Sequence, residues 1–279
     1  MIMDISDWKI DETVIASGTR EKFWLINPDN NKRYLFKLPK EGTGEIWAEK
    51  VASEVGKMLK LETMDVTIAQ YKGRNGLLLT NFINYGEEEF FDGGDLLKVV
   101  LEEFDPNNLQ GYNIENIMTC LKQYNLEFQM VRVIMFDALI ANQDRHCENW
   151  GVILKDGKVR FSPIFDNGAS LGYNNSEERL NLMFGNTKMF EAFTNKGKSI
   201  IGLSDKKKPK IKLFLPHLQQ MYPQIIDEEI MRLNYLQEDG IKHILEGIPF
   251  DIMSKTEKKW VEKILLYRKS WIISCLKES

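Results

Sequence analysis

The chain reads as an α+β protein of two unlike parts, an antiparallel-sheet part followed by a mainly helical one. Three observations carry this. Short β-favouring runs between polar clusters crowd the first third; one amphipathic helical pattern interrupts them; and after the acidic stretch 85–94, helical periodicity takes over with a single strand-rich break. The expected division is 1–84 and 85–279, two lobes around a shared cleft.

The elements follow in order. Strands are predicted at 14–16, 23–26 and 34–38, where β-branched and aromatic residues lie between turn-forming clusters. A helix is predicted over 44–59, because Trp47, Ala48, Val51, Ala52, Val55, Met58 and Leu59 recur at helical spacing. Strands resume at 66–69 and 77–80, the second after the turn-like Gly73-Arg74-Asn75-Gly76. The acidic, glycine-containing stretch 85–94 reads as a loop. A later helix should run out at Ala141. Beyond it, 151–154 and 159–161 flank Lys155-Asp156-Gly157-Lys158, a hairpin with Asp-Gly at its turn. From Leu213 onward the pattern is helical, with an amphipathic segment at 260–276.

Composition narrows the function classes. With 43% hydrophobic and 28% charged residues and no run near the roughly 20 apolar residues of a membrane helix, no span is expected. Residues 1–8 lack a basic-then-apolar leader, so the expected location is cytoplasmic, or outside the cell by a route without a classical signal peptide. A net charge of -4 gives no reason to expect direct nucleic-acid binding. The local exception, Lys206-Lys207-Lys208-Pro209-Lys210, reads as a solvated loop. Cys120, Cys147 and Cys275 lack C-x-x-C spacing and read as reduced thiols; His146, His217 and His243 are too scattered for a zinc site.

The informative stretch runs from Phe136 to Trp150 and continues at Ser162-Pro163-Ile164-Phe165-Asp166-Asn167-Gly168. A helix empties into a polar loop that holds Asp144 and Asn149 as D-x-x-x-x-N, and a hairpin then returns a second aspartate, Asp166. Phosphoryl transfer from ATP needs these residue types: a carboxylate to orient and deprotonate the attacking hydroxyl, and an amide oxygen with another carboxylate to hold Mg²⁺. Asp144 is the expected base, with Asn149 and Asp166 the expected metal ligands.

The nucleotide phosphates should meet the first part of the chain. The turn carrying Ser17, Gly18, Thr19 and Lys22 lies between two predicted strands and could cover phosphate oxygens with backbone N–H groups. No Walker-type G-x-x-x-x-G-K-[ST] is present, and Gly42-Thr43-Gly44 lacks the third glycine and the preceding parallel strand of a dinucleotide fold. Lys37 is flanked by apolar residues, so its ammonium needs anions. The phosphates and Glu45 or Glu49, four apart on one helix face, would supply them. Adenine should meet the connector at Thr80, Asn81 and Phe82.

Together, Ser17-Gly18-x-x-x-Lys22, Lys37, Glu45, the F-D-x-L-I-x-N-x-D-R-H-x-x-N run from Phe136 to Asn149, and Asp166 resemble the HipA-like serine/threonine kinases. D-R-H order separates them from the H-R-D order of eukaryotic protein kinases. The resemblance implies a two-lobed protein-kinase-like fold, related to that of phosphatidylinositol kinases, and use of ATP and Mg²⁺. It also implies a Ser/Thr acceptor on protein, His146 at the nucleotide site, and autophosphorylation in the phosphate loop at Ser17 or Thr19. The chain looks like the compact branch without the N-terminal subdomain, similar to the cell-translocating kinase A group and HipT-type toxins. An antitoxin or a separate subdomain chain is then a possible partner. A lipid or small-molecule kinase uses the same groups and stands as the alternative; a pseudokinase is disfavoured by the full set. The segment 169–181 contains one basic residue, Arg179, which favours a protein acceptor over an inositol phosphate.

Overall fold

The structure is a computed structural model and describes residues 2–14, 20–204 and 206–277. A six-stranded sheet forms first, from β1 (Met3–Asp4), β2 (Lys9–Ile10), β3 (Lys22–Ile26), β4 (Arg33–Lys37), β5 (Val66–Tyr71) and β6 (Arg74–Thr80), in the order β1-β5-β6-β4-β3-β2. Neighbours are antiparallel except β1 and β5. Helix α1 (Glu45–Met58) crosses from β4 to β5. Alternation splits the sheet's two faces: Leu78 packs with Leu25, Phe36 and Tyr71, whereas Leu77, Leu79 and Val66 join α1's Val51, Ala52 and Val55 in the main core.

The acidic stretch 85–94 is not a loop throughout. Where a loop was predicted, β7 (Glu89–Asp92) pairs with β8 (Gly151–Lys155), and α2 (Gly93–Val100) starts at an Asp92 cap that accepts from Asp95 N at 3.0 Å. A four-residue strand whose partner lies far along the chain has no local signature. The predicted Asp-Gly hairpin is present: β8 pairs with β9 (Lys158–Phe161) around Asp156 and Gly157, both at positive φ. The turn before β6 is tighter than expected, occupying Lys72 and Gly73 at φ 48° and 80°, so Arg74 already belongs to the strand. Of the predicted strand at 14–16, Val14 lies in a bend and the rest is outside the described residues.

The helices are α3 (Ile114–Lys122), α4 (Glu127–Ile140), α5 (Glu177–Gly185), α6 (Thr187–Asn195), α7 (Ile211–Met221), α8 (Pro223–Arg232), α9 (Glu238–Glu246) and α10 (Lys255–Lys277). Helix α4 is buried on nearly every side from Met130 to Ile140, which makes it the axis against which α3, α7, α8 and α10 pack. Among the described residues, no helix is long and apolar enough to cross a membrane.

Candidate active site

Helix α4 delivers the chain to the site and stops abruptly. Ala141 takes the left-handed conformation at φ 56° and ψ 34°, and the Ala141 N–H bonds back to Asp137 O. Asn142 then donates from Nδ2 to Asp137 Oδ1 at 3.0 Å while its Oδ1 accepts from Asp144 N at 3.1 Å. Asp144 itself is exposed, at the mouth of a cavity of about 440 Å³.

Arg145, 2% exposed, organises what surrounds it. Its Nε and Nη2 form a fork on Asp137 at 2.9 and 2.7 Å, and Nη2 also reaches Asn167 Oδ1 at 2.7 Å. Nη1 donates to Asn149 O at 2.9 Å and Phe165 O at 2.7 Å. One guanidinium therefore ties the backbone beside both expected metal ligands to the helix that ends at Ala141. Tyr112 OH donates to Arg145 O at 2.7 Å and accepts from Trp150 Nε1 at 2.9 Å, closing the loop from the opposite side. Asn149 Nδ2 donates to Asp144 O at 3.1 Å, so the amide oxygen is the end left for a ligand.

Asp166 arrives at φ 54°, and the preceding Ile164 is held by a bridge to Thr63. Lys37 Nζ, from the end of β4, lies 2.8 Å from Asp166 Oδ1 and 3.1 Å from Glu45 Oε1. Burial alone would depress the Lys37 ammonium, but the carboxylates of Asp166, Glu49 and Glu45 outweigh it and hold the group well above its ordinary value. Burial likewise would raise Asp166, and the Lys37 charge overrides it and keeps the carboxylate ionised. Of the two helix glutamates, Glu45 makes the contact. It also accepts from Lys40 N at 2.9 Å and pairs with Arg20 at 3.2 Å. Glu49 sits behind it, 1% exposed, with Oε2 unpartnered; burial and the nearby Asp166 charge raise its pKa.

The other expected positions make separate contacts. Lys22 lies across from Lys37 in the β3–β4 register and forms no ion pair with a described residue. Burial pushes its ammonium down and Asp166 partly restores it. Thr80 N donates to Asp65 O, and Asn81 Oδ1 accepts from Ile83 N. Phe82 meets Phe165 with ring centroids 5.3 Å apart. His146 is half-buried, its Nδ1 facing Glu148 N at 3.5 Å. Ser17, Gly18 and Thr19 lie outside the described residues.

The donor set fits a magnesium nucleotide. Among the described residues, no group of three or more His, Cys, Asp or Glu could hold a metal by itself, whereas an Asn oxygen and one carboxylate leave most of an octahedral shell to water and phosphate. A half-buried ammonium at Lys22 beside the Lys37–Asp166 pair leaves positive charge available to a polyphosphate. The contributions of Arg145, Asp137, Asn142 and Asn167 escaped the sequence reading. The signal was an aspartate inside an apolar helix, a buried charge that demands a partner.

A sheet with a lysine–glutamate pair, a helical part with a D-x-x-x-x-N loop, and a returning aspartate beside the lysine together define a kinase-like fold. The sequence model of the HipA-like C-terminal domain matches residues 14–226, and the chain belongs to that family. Among solved structures, the Helicobacter pylori proinflammatory kinase CtkA is similar with a TM-score of 0.85 at 22% identity, covering 100% of this chain and 98% of its own. HipA in the Shewanella oneidensis MR-1 complex of HipA, HipB and operator DNA is similar at TM-score 0.60 and 13% identity, with 95% and 66% covered. No curated protein matches the chain.

Proposed function

We propose that the protein is an ATP- and Mg²⁺-dependent kinase that transfers the γ-phosphoryl group to Ser/Thr hydroxyls of protein substrates. One observation carries the reading: Lys37, Glu45 and Asp166, distant in sequence, meet within 3.1 Å, while Arg145 bonds the backbone oxygens of both Asn149 and Phe165, the residue before Asp166. In this reading Asn149 and Asp166 hold Mg²⁺, which when bound neutralises charge on the phosphate oxygens. Lys37, oriented by Glu45, contacts the phosphates, with Lys22 and the turn at Ser17, Gly18 and Thr19 beside it. Thr80, Asn81 and Phe82 border adenine. The Asp144 carboxylate accepts the proton of the acceptor hydroxyl as its oxygen attacks phosphorus and the bond to the departing diphosphate breaks. Residues 1–84 and 85–279 act as the two lobes. Autophosphorylation at Ser17 or Thr19 would place a dianion against the nucleotide phosphates and slow turnover. A separate partner chain of the antitoxin type is consistent with the HipB-bound relative.

A phosphoinositide acceptor is the second reading, because the lysine-bearing segment after α6 docks against Gln143 and brings cations to the acceptor side. Transfer of label from ATP, with native protein and Asp144→Ala offered lysate proteins and phosphoinositide vesicles, decides between them. Label in proteins only supports the first reading; label in vesicles only replaces it. No transfer to either overturns both.

A further inference from the structure

The cavity beside Asp144 is distinct from the nucleotide wall. Asp144, Tyr173, Arg179, Phe193, Ile211 and Arg268 line it, around about 440 Å³. Arg268 enters from α10 and is 1% exposed. Its Nε donates to Ala138 O and its guanidinium stacks 4.8 Å from the Trp271 ring centroid, so the group is fixed in place. Its Nη2 has no hydrogen-bond partner, and no described carboxylate pairs with it. Burial pushes the guanidinium down to about 10, which leaves it cationic at neutral pH. A buried cation without a counter-charge is costly, and an anion entering the cavity would remove that cost. Arg179, also lining the cavity and exposed, forms no ion pair among the described residues either.

A second, independent feature points the same way. The side chains of the basic run are solvated as expected, but its backbone folds back on the segment after α6. Ser199 N bonds to Pro209 O and Ile211 N to Gly197 O, each at 3.0 Å, and Lys198 bridges Lys210 in antiparallel fashion. Lys198 N then donates to Gln143 Oε1 at 3.1 Å, one residue from Asp144. Lys196, Lys198, Lys206, Lys207, Lys208 and Lys210 are exposed on this folded-back segment, with no ion pair to a described residue.

We propose that this pocket and its lysine rim form an acceptor-side anion subsite that selects Ser/Thr residues flanked by Asp or Glu. Arg268 and Arg179 receive the carboxylate nearest the acceptor hydroxyl, and the rim lysines receive carboxylates farther along the same chain. Cations spread from Lys198 and Lys210 at the base of this folded-back segment to Lys206 at its turn match an acidic polypeptide better than a compact head group, which would need them gathered at one point. The inference rests on the kinase reading for the meaning of Asp144, but the subsite is testable by binding alone.

Fluorescence anisotropy with the full chain would compare two labelled peptides, a serine flanked by glutamates and the same serine flanked by glutamines. The wild type is expected to bind the acidic peptide at least about tenfold more tightly, the effect of roughly one charge-assisted contact. The preference should shrink severalfold in Arg268→Lys, in Arg179→Gln, and in a Lys206→Ser/Lys207→Ser/Lys208→Ser variant, thermal melts reporting whether each folds. Should Arg268→Lys fail to fold, the other two carry the test. Equal binding of the two peptides by the wild type overturns the subsite, as does an unchanged preference in the folded variants. Tighter binding to phosphoinositide vesicles than to the acidic peptide overturns the peptide assignment. Selective binding with no phosphate transfer from ATP supports the subsite and overturns the kinase reading instead.

Discussion

Asp144 and Asp166 are the same side chain in opposite circumstances. Asp144 is exposed at a cavity mouth, held through its backbone by Asn142, whereas Asp166 is clamped by Lys37 at 2.8 Å. Substituting Asp144→Ala should therefore leave stability within about 0.5 kcal/mol while lowering phosphate transfer by about 10²–10⁴-fold, the range of general-base loss. Urea titration and labelled-ATP assays check the two halves. Asp166→Asn should act on nucleotide binding instead. At 100-fold excess over Kd, Mg-ATP should stabilise the wild type by about 2.7 kcal/mol, and the variant should lose most of that gain in a thermal melt. That Lys37 would meet carboxylates was legible, because its apolar neighbours left it no other means of being satisfied. Which glutamate it would choose was not: Glu45 and Glu49 share a helix face, and only the approach of β4 decides.

At the scale of elements, the loop from Ala141 to Asn149 is held chiefly by the buried guanidinium of Arg145, which bonds both to α4 and to Asn149 O. Removing that group with Arg145→Ala would strand Asp137, 7% exposed, and should cost about 3–5 kcal/mol in denaturant unfolding. Arg145→Lys should recover only part of it, since an ammonium cannot serve Asp137, Asn167, Asn149 O and Phe165 O together. The D-x-x-x-x-N spacing announced the loop, yet spacing says nothing about where an arginine within it points. The helix read over 44–59 from periodicity is α1 at Glu45–Met58, and the expected stop at Ala141 is where α4 ends; β1, β2 and β7, at two to four residues each, were not legible. Contact between α1 and the loop after Asp166 is close enough to test. A Cβ on Gly168 would lie 2.7 Å from Glu45 Cγ and 3.3 Å from Glu49 Oε2, so Gly168→Ala should shift Glu45 away from Lys37. An increase in the KM for ATP of about tenfold, worth 1.4 kcal/mol, is the expected reading in steady-state kinetics.

Across the whole molecule, the order of sheet first and helices after was legible, because the two periodicities hardly overlap along the chain. How the parts meet was hidden in long-range contacts. The ring cluster of Phe82, Phe90 and Phe165, with centroids 5.3 to 6.0 Å apart, joins the end of β6, β7 and the residue before Asp166. Helix α10 reaches back in the same way. Trp260 Nε1 donates to Leu171 O at 2.8 Å in the segment after Asp166, and Arg268 meets Ala138 across 130 residues of sequence. During synthesis, then, every group expected to handle phosphate leaves the ribosome well before the helix that braces the acceptor side. A nascent chain halted ahead of α10 would hold those residues without the bonds from Trp260 and Arg268 that brace their surroundings.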